Sequence, residues 1–163
     1  MLGVVSLQDL TEIHKRCSSE NIGDRREAVG ALGTAFIYVP DRAQAWQDLV
    51  RLTQDKDIDV RRRAAGVLGL VFSYVPDKAQ VWQDLHRLTQ DKDRDVRLGV
   101  VDALGPALSH VPDKAQAWQD LVRLTQDEDR DVRRRAAGAL GLAFSHVPDK
   151  AQAWQDLHRL NSG

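Results

Sequence analysis

The sequence is poor in several features that point to particular protein classes. It has one cysteine in 163 residues, so an internal disulfide is excluded and a reducing compartment, by default the cytoplasm, is expected. Lys and Arg number 23 against 24 Asp and Glu, so no overall positive field marks a nucleic-acid binder. No apolar run approaches the roughly 18 residues of a membrane span, and the opening segment lacks the positive flank of a signal peptide. We therefore expect a soluble protein.

Motifs of catalysis and metal binding are also missing. The sequence contains no G-x-S-x-G, no H-E-x-x-H, no G-x-x-x-x-G-K and no cluster of cysteines. Its single cysteine, Cys17, falls where other copies of a repeated block have threonine, at the edge of an apolar stripe, which favours a packed thiol over a nucleophile. His110 and His146 share one position of that block, but no carboxylate or cysteine accompanies them. We predict no catalytic residue, no metal site and no cofactor.

The repeated block dominates what the sequence does contain. The tripeptide Val-Pro-Asp recurs every 36 residues, with prolines at Pro40, Pro76, Pro112 and Pro148. Four tryptophans keep the same interval, at Trp46, Trp82, Trp118 and Trp154. A fixed period of this length indicates a stacked architecture, in which each unit buries its apolar face against a neighbour. We predict one repeat domain over residues 1–163, with units at about 5–40, 41–76, 77–112 and 113–148 and a half-unit at 149–163.

Each unit contains the pattern of two helices. Asp77 stands three residues before Gln80, as in a capping box, and apolar residues then follow at spacings of three and four, which predicts a first helix over about 78–89. Asp57 can cap a second helix, predicted over about 58–74. Helices over about 6–17 and 149–160 begin and end the array, which gives nine in all. The proline of each Val-Pro-Asp ends the preceding helix because it has no N–H to donate.

Two glycines inside the second helix of unit 2 need a reason. Gly66 and Gly69 each cost roughly 1 kcal/mol relative to alanine in a helix interior. Glycines recur at both positions in other units. We predict close approach of a neighbouring helix at both.

The second helices carry a recognisable signature. D-x-D-V-R-R-R-A-A-G-x-L-G occurs at residues 57–69 and again at 129–141, and it resembles the second-helix signature of HEAT-like repeats, most closely the short-unit, phycobilisome-lyase-type variant. The resemblance covers almost the whole chain. It implies an all-α, right-handed solenoid of stacked antiparallel hairpins whose second helices line the concave surface. It also implies binding rather than a particular ligand, and the His-Glu dipeptides of the iron-carrying members are absent.

Arginine recurs at one early position of every second helix. The set is Arg25, Arg61, Arg97 and Arg133. One interpretation is that this ladder of arginines binds an anionic partner. We favour the other, that the arginines pair with the aspartates between helices, such as Asp55, Asp91 and Asp127, because repeated paired charges organise a stack. The tryptophans are likewise predicted to be core wedges rather than a stacking platform.

The next positions of the second helices differ among units. They read Arg-Glu, Arg-Arg, Leu-Gly and Arg-Arg in units 1 to 4. Because positions that define the stack should not vary, this stripe is the candidate partner-binding surface, with a merely solvated face as an equal alternative. The candidates are Arg26, Arg62, Arg63, Leu98, Asp102, Arg134 and Arg135.

These residues predict a non-enzymatic scaffold for a protein or peptide partner. Arginines around an apolar dip at Leu98 would suit a segment with acidic flanks and an apolar centre. Two alternatives stay open: nucleic-acid binding through the same arginines, and a tetrapyrrole-lyase-related role that rests on fold analogy alone. The half-unit at 149–163 lacks a second helix, so self-association through an exposed helix 149–160, or a longer parent array, is also expected.

Overall fold

The computed structural model describes residues 7–75 and 77–161, and over these residues it contains nine α-helices and two short 3-10 helices. The first helices of the units are α1 (Leu7–Cys17), α3 (Arg42–Leu52), α5 (Lys78–Leu88), α7 (Lys114–Leu124) and α9 (Lys150–Asn161). The second helices are α2 (Ile22–Ala35), α4 (Ile58–Val71), α6 (Arg94–Ala107) and α8 (Arg130–Ala143), with 3-10 turns at Phe72–Tyr74 and Phe144–His146. The predicted all-α fold is confirmed, and the predicted helix ends lie within three residues of the observed ones.

Aspartate caps decide where the helices begin. In α3, α5 and α7 the capping carboxylate accepts a hydrogen bond from the backbone N–H three residues later, as with Asp77 and Gln80 at 3.0 Å. Asp57 and Asp129 cap α4 and α8 in the same way. These bonds satisfy N–H groups that have no partner within the helix. Pro76, the predicted helix stop of unit 2, lies outside the described residues.

One continuous core runs between the two helix layers. Leucines of the second helices are fully buried at 36-residue intervals, at Leu32, Leu68, Leu104 and Leu140. Leu49, Leu85 and Leu121 of the first helices face them. Each second helix packs on the next along the array, α2 on α4, α4 on α6 and α6 on α8. The units therefore stack as a solenoid, each burying the apolar side of its neighbour.

The helices α4 and α6 approach each other most closely. A Cβ added to Gly69 would overlap the Cβ of Ala103, and one added to Gly99 would lie 2.8 Å from the carbonyl oxygen of Arg62. Apart from its chain neighbours and the backbone of its own helix, no heavy atom lies within 4 Å of a Cβ added to Gly66. The predicted close approach is therefore confirmed at Gly69 and wrong at Gly66, which faces open space.

Every helix in the described part of the chain is too short or too polar to cross a membrane.

Candidate functional site

The turns between paired helices are closed by the arginines of the predicted ladder. In each unit an Nη1 group donates to a carbonyl oxygen six residues earlier, at 2.7 to 2.8 Å. The acceptors are Ser19 for Arg25, Asp55 for Arg61, Asp91 for Arg97 and Asp127 for Arg133. This bond satisfies a carbonyl that the turn leaves without a helical partner.

Two ladder arginines also join one unit to the next. Arg25 contacts Asp55 at 2.6 Å and Arg97 contacts Asp127 at 2.7 Å, and all four side chains are less than a tenth exposed. Burial acts to raise the pKa of Asp127. The hydrogen bonds from Arg97 and from the backbone N–H of Asp129, with the Arg97 charge, outweigh that effect, so the pKa of Asp127 lies below its usual value.

The other two ladder arginines are arranged differently. Arg61 lies 3.7 Å from Asp93 rather than pairing with Asp91, whose carboxylate accepts the backbone N–H of Asp93. Arg133 pairs with no carboxylate among residues 7–75 and 77–161. The predicted ladder is thus continuous in its turn-closing bonds and discontinuous in its bridges between units.

The tryptophans divide into three buried rings and one exposed ring. Trp46, Trp82 and Trp118 lie in the core, whereas Trp154 is 56% exposed. A core position was predicted for Trp154, and that prediction is wrong because no described helix covers the outer side of α9. Its ring contacts the edge of Phe144, with centroids 6.3 Å apart.

Two leucines stand out on the exposed side of the second helices. Leu70 of α4 is 71% exposed and Leu142 of α8 is 70% exposed. They occupy the same position of the repeat, where α6 has the exposed Pro106 and α2 has Thr34. We call this row, together with the seven predicted candidate residues, the second-helix face. Leu70 and Leu142 continue the predicted stripe at a spacing of four residues, although the seven named candidates did not include them.

The arginines of the second-helix face differ in how fully they are neutralised. Arg63 is exposed and has no ion-pair partner in the described part of the chain. Arg134 is 76% exposed and lies 3.5 Å from Asp131 of its own helix. Its neighbour Arg135 bridges to Asp102 of α6 at 2.7 Å. Positive charge is therefore most available at Arg63 and Arg134.

The remaining arginines of the face have acidic neighbours. Arg62 lies 3.4 Å from Asp59, and Arg26 contacts both Asp57 at 3.3 Å and Asp59 at 2.9 Å. The arginines of these pairs are about 40% exposed, so each pair contributes little to stability.

A groove of about 560 Å³ lies between α6 and α8 on this face. Val101 and Ala139 form part of its apolar lining, the Asp102 and Arg135 pair also lines it, and Leu142 contributes as well. The groove therefore combines apolar surface with two arginines, Arg134 and Arg135, and one aspartate.

Leu98 has a different environment from the one predicted. It is partly buried and packs against the core, and its neighbour Gly99 lies against the backbone of α4. Units 2 and 4 have two arginines where unit 3 has Leu98 and Gly99, and α6 packs closely on α4 at Gly99. Leu70 and Leu142, rather than a dip at Leu98, supply the exposed apolar surface.

Two observations concern metal binding and the reactivity of Cys17. No group of three or more His, Cys, Asp or Glu side chains in the described residues could hold a metal ion. Cys17 is buried, and burial, together with the charge of Asp48, raises the pKa of its thiol to about 12 despite an opposing effect of Arg51. The thiolate is the nucleophilic form, so Cys17 is unreactive near neutral pH.

Comparisons with known proteins agree with this architecture. The sequence profile of HEAT repeats matches residues 8–104, 51–141 and 83–158. No curated protein matches the chain in sequence. Among solved structures, the chain is similar to an engineered protein, with 24% identity, 94% of this chain and 68% of that chain covered, and a TM-score of 0.66.

Two further structures share the fold. One is a designed armadillo repeat protein in complex with the peptide (KR)4, with 20% identity, 95% and 71% of the two chains covered, and a TM-score of 0.67. The other is a chain from the complex of Kap95p with RanGDP, with 19% identity, 93% of this chain but only 20% of that chain covered, and a TM-score of 0.72. These identities support a likeness of fold alone. Because the HEAT profile spans most of the sequence, the chain belongs to the family of HEAT repeat proteins.

Proposed function

We propose that the chain is a non-enzymatic scaffold that binds a protein segment on its second-helix face. The observation that carries this proposal is the pair of leucines, Leu70 and Leu142, each about 70% exposed at the same position of two units. Fully burying a leucine contributes about 1.5 to 3 kcal/mol, so two such side chains can anchor a partner. The buried arginine bridges fix the helices that carry them, which limits the entropy lost on binding.

The geometry of the helices suggests the spacing of the partner's anchors. Neighbouring helices pack roughly 8 to 10 Å apart, so Leu70 and Leu142, two units apart, are separated by roughly 16 to 20 Å. An extended chain rises about 3.3 Å per residue and points every second side chain to the same face, so its two anchor residues would lie about six positions apart. We propose an extended segment with apolar residues at that interval.

The charge of the partner follows from the arginines beside each leucine. Arg63 precedes Leu70, and Arg135 precedes Leu142, by seven residues, which is two helical turns or about 10 Å. Acidic residues flanking the apolar anchors would meet Arg63 directly and would compete with Asp102 for Arg135. The designed armadillo protein was solved with the basic peptide (KR)4, and the arginines here favour a peptide of the opposite charge.

Nucleic-acid binding through the same arginines is less well supported. Four of the five arginines on the face have a carboxylate within 3.5 Å, and the net charge of the chain is −1. A polyanion would meet those carboxylates as well as the arginines. Binding to nucleic acid would also weaken steeply with salt.

Selection from a random peptide display library on the immobilised protein tests the proposal. We expect the selected peptides to combine apolar and acidic residues. A variant with Leu70→Ser and Leu142→Ser should bind them at least tenfold more weakly while its melting temperature changes little, because both side chains are exposed. Replacing Arg62, Arg63, Arg134 and Arg135 with alanine should also weaken binding without loss of folding.

The matched control is Ile37→Ser, which removes another exposed apolar side chain outside the leucine row. Basic selected peptides, or equal binding by the double-leucine variant, would contradict the proposal. Binding of single-stranded DNA that vanishes at moderate salt would favour the alternative.

A further inference from the structure

A cavity of about 210 Å³ lies between α1 and α3. Leu10 is one of the residues that line it. Leu10 lies 36 residues before Trp46, so it occupies in unit 1 the repeat position that is tryptophan in the later units. An engineered apolar cavity of about 150 Å³ is large enough to bind benzene. The cavity therefore has room for one small aromatic ring system where the other units carry an indole of their own.

Unit 4 shows how this position accommodates an indole. The ring of Trp118 is buried, and its Nε1 donates to the Oδ2 atom of Asp156 at 3.0 Å. Asp156 lies 38 residues after Trp118, and the same step from Leu10 leads to Asp48. Asp48 lines the cavity, and its side chain is 4% exposed. Unit 1 therefore has the acceptor carboxylate, Asp48, but no tryptophan that could donate to it.

Asp48 retains capacity for a further hydrogen bond. His14 Nδ1 lies 2.9 and 2.8 Å from its two oxygens, and Arg51 Nη2 lies 2.9 Å from Oδ1. A carboxylate offers about four acceptor sites, so these two donors leave room for another. Gln44, whose counterpart in the last unit donates to Asp156, is directed at His14 instead, at 3.4 Å.

The rest of the cavity wall is suited to an aromatic ring. Leu10, Ile13, Leu32 and Ala45 supply aliphatic surface around the carboxylate. A mainly apolar pocket with one convergent charged acceptor fixes the orientation of a small ligand through that acceptor. The ligand that fits has a flat apolar body and one N–H donor on its edge.

We propose that this cavity binds a small planar heteroaromatic molecule of the indole class, whose ring N–H donates to Asp48 as Trp118 donates to Asp156. The cavity is lined by α1, α3, the turn before α3 and one leucine of α2, and it shares no residue with the second-helix face. The inference is therefore independent of the proposed scaffold function.

Titration of the isotope-labelled full chain with indole, followed by amide NMR, tests the proposal. We expect a dissociation constant on the order of 1 mM, as suits a ligand of this size, with the largest shifts at the amides of His14, Gln44 and Asp48. Benzofuran has the same shape without the N–H donor. It should bind about tenfold more weakly because a hydrogen bond to a charged acceptor is lost.

Leu10→Trp restores the residue of the other units and should abolish indole binding by filling the cavity. Leu10→Met, which conserves volume, is the matched control and should retain it. Absence of shifts with indole, equal binding by folded Leu10→Trp, or equal affinity for benzofuran would each overturn the proposal. The benzofuran comparison uses the unmodified chain, so it stands even if a variant fails to fold.

Discussion

Arg97 and Arg133 occupy the same position of the repeat and close the same kind of turn, but their guanidinium groups have different partners. Arg97 bridges to the buried Asp127, whereas Arg133 binds only the carbonyls of Asp127 and Glu128 in the described part of the chain. Without Arg97, the buried Asp127 would keep the hydrogen bond from the backbone N–H of Asp129 but lose its cationic partner, whereas a turn that loses a bond can recruit water. The two positions therefore allow a matched comparison of bridge and turn closure.

Arg97→Ala should lower the free energy of unfolding by about 3 kcal/mol, and Arg133→Ala by only about 1 kcal/mol. Urea denaturation of both variants measures the difference. Equal losses would show that the bridge to Asp127 contributes nothing beyond turn closure.

The effect of Arg97→Ala should also depend on pH. The folded pKa of Asp127 lies below the ordinary value of 3.8, so the stabilisation is present above that value and is lost as the pH falls through the folded pKa. The gap in unfolding free energy between wild type and Arg97→Ala should therefore narrow below about pH 4. A gap that stays constant down to pH 2 would contradict this assignment.

At the scale of the elements, the contact between α4 and α6 depends on glycine at two points. Gly69 lies against the backbone and Cβ of Ala103, and Gly99 lies against a carbonyl of α4. The same repeat position is roomier elsewhere: a Cβ on Gly105 would make an ordinary contact, and a Cβ on Gly141 would meet nothing within 4 Å. One position of the repeat thus has different packing in different units.

Gly69→Ala should destabilise the chain by about 2 kcal/mol because its Cβ would overlap Ala103 and force α4 and α6 apart. Gly66→Ala and Gly141→Ala should instead stabilise it by about 0.5 to 1 kcal/mol, since both lie in open helix surface and alanine is the better helix former. Melting temperatures of the three variants, measured together, decide the matter. A stabilised Gly69→Ala would mean that the helices can separate without loss.

At the scale of the whole molecule, α9 carries apolar side chains that no described helix covers on its outer side. Trp154 is exposed, and Leu157 and Leu160 are only partly buried against the core. In the other units the corresponding tryptophans lie between one hairpin and the next. Self-association through helix 149–160 is the consequence predicted from the sequence, and it stays a prediction.

Trp154→Gln tests it. If α9 pairs with a second copy, the weight-average mass in sedimentation equilibrium should rise with concentration for the wild type and remain that of a monomer for the variant, with little change in melting temperature. A wild-type chain that stays monomeric at high concentration would remove the prediction.

The sequence by itself determined the helices and their order. Caps such as Asp77, the apolar spacing within each helix and the 36-residue period act locally or between identical units, so they can be read without coordinates. The wedge positions of Trp46, Trp82 and Trp118 followed from the same spacing. The resemblance of residues 57–69 to a HEAT signature was sufficient to name the family.

Only the tertiary structure decided which copies of a repeated position are buried, crowded or exposed. Gly69 and Gly141 occupy the same position of the repeat, as do Trp118 and Trp154, yet their environments differ because each depends on the neighbouring unit rather than on the residue itself. The cavity beside Leu10 arises in the same way. A repeat fixes the local structure of each unit, whereas its surface and cavities depend on the side chains that adjacent units place against it.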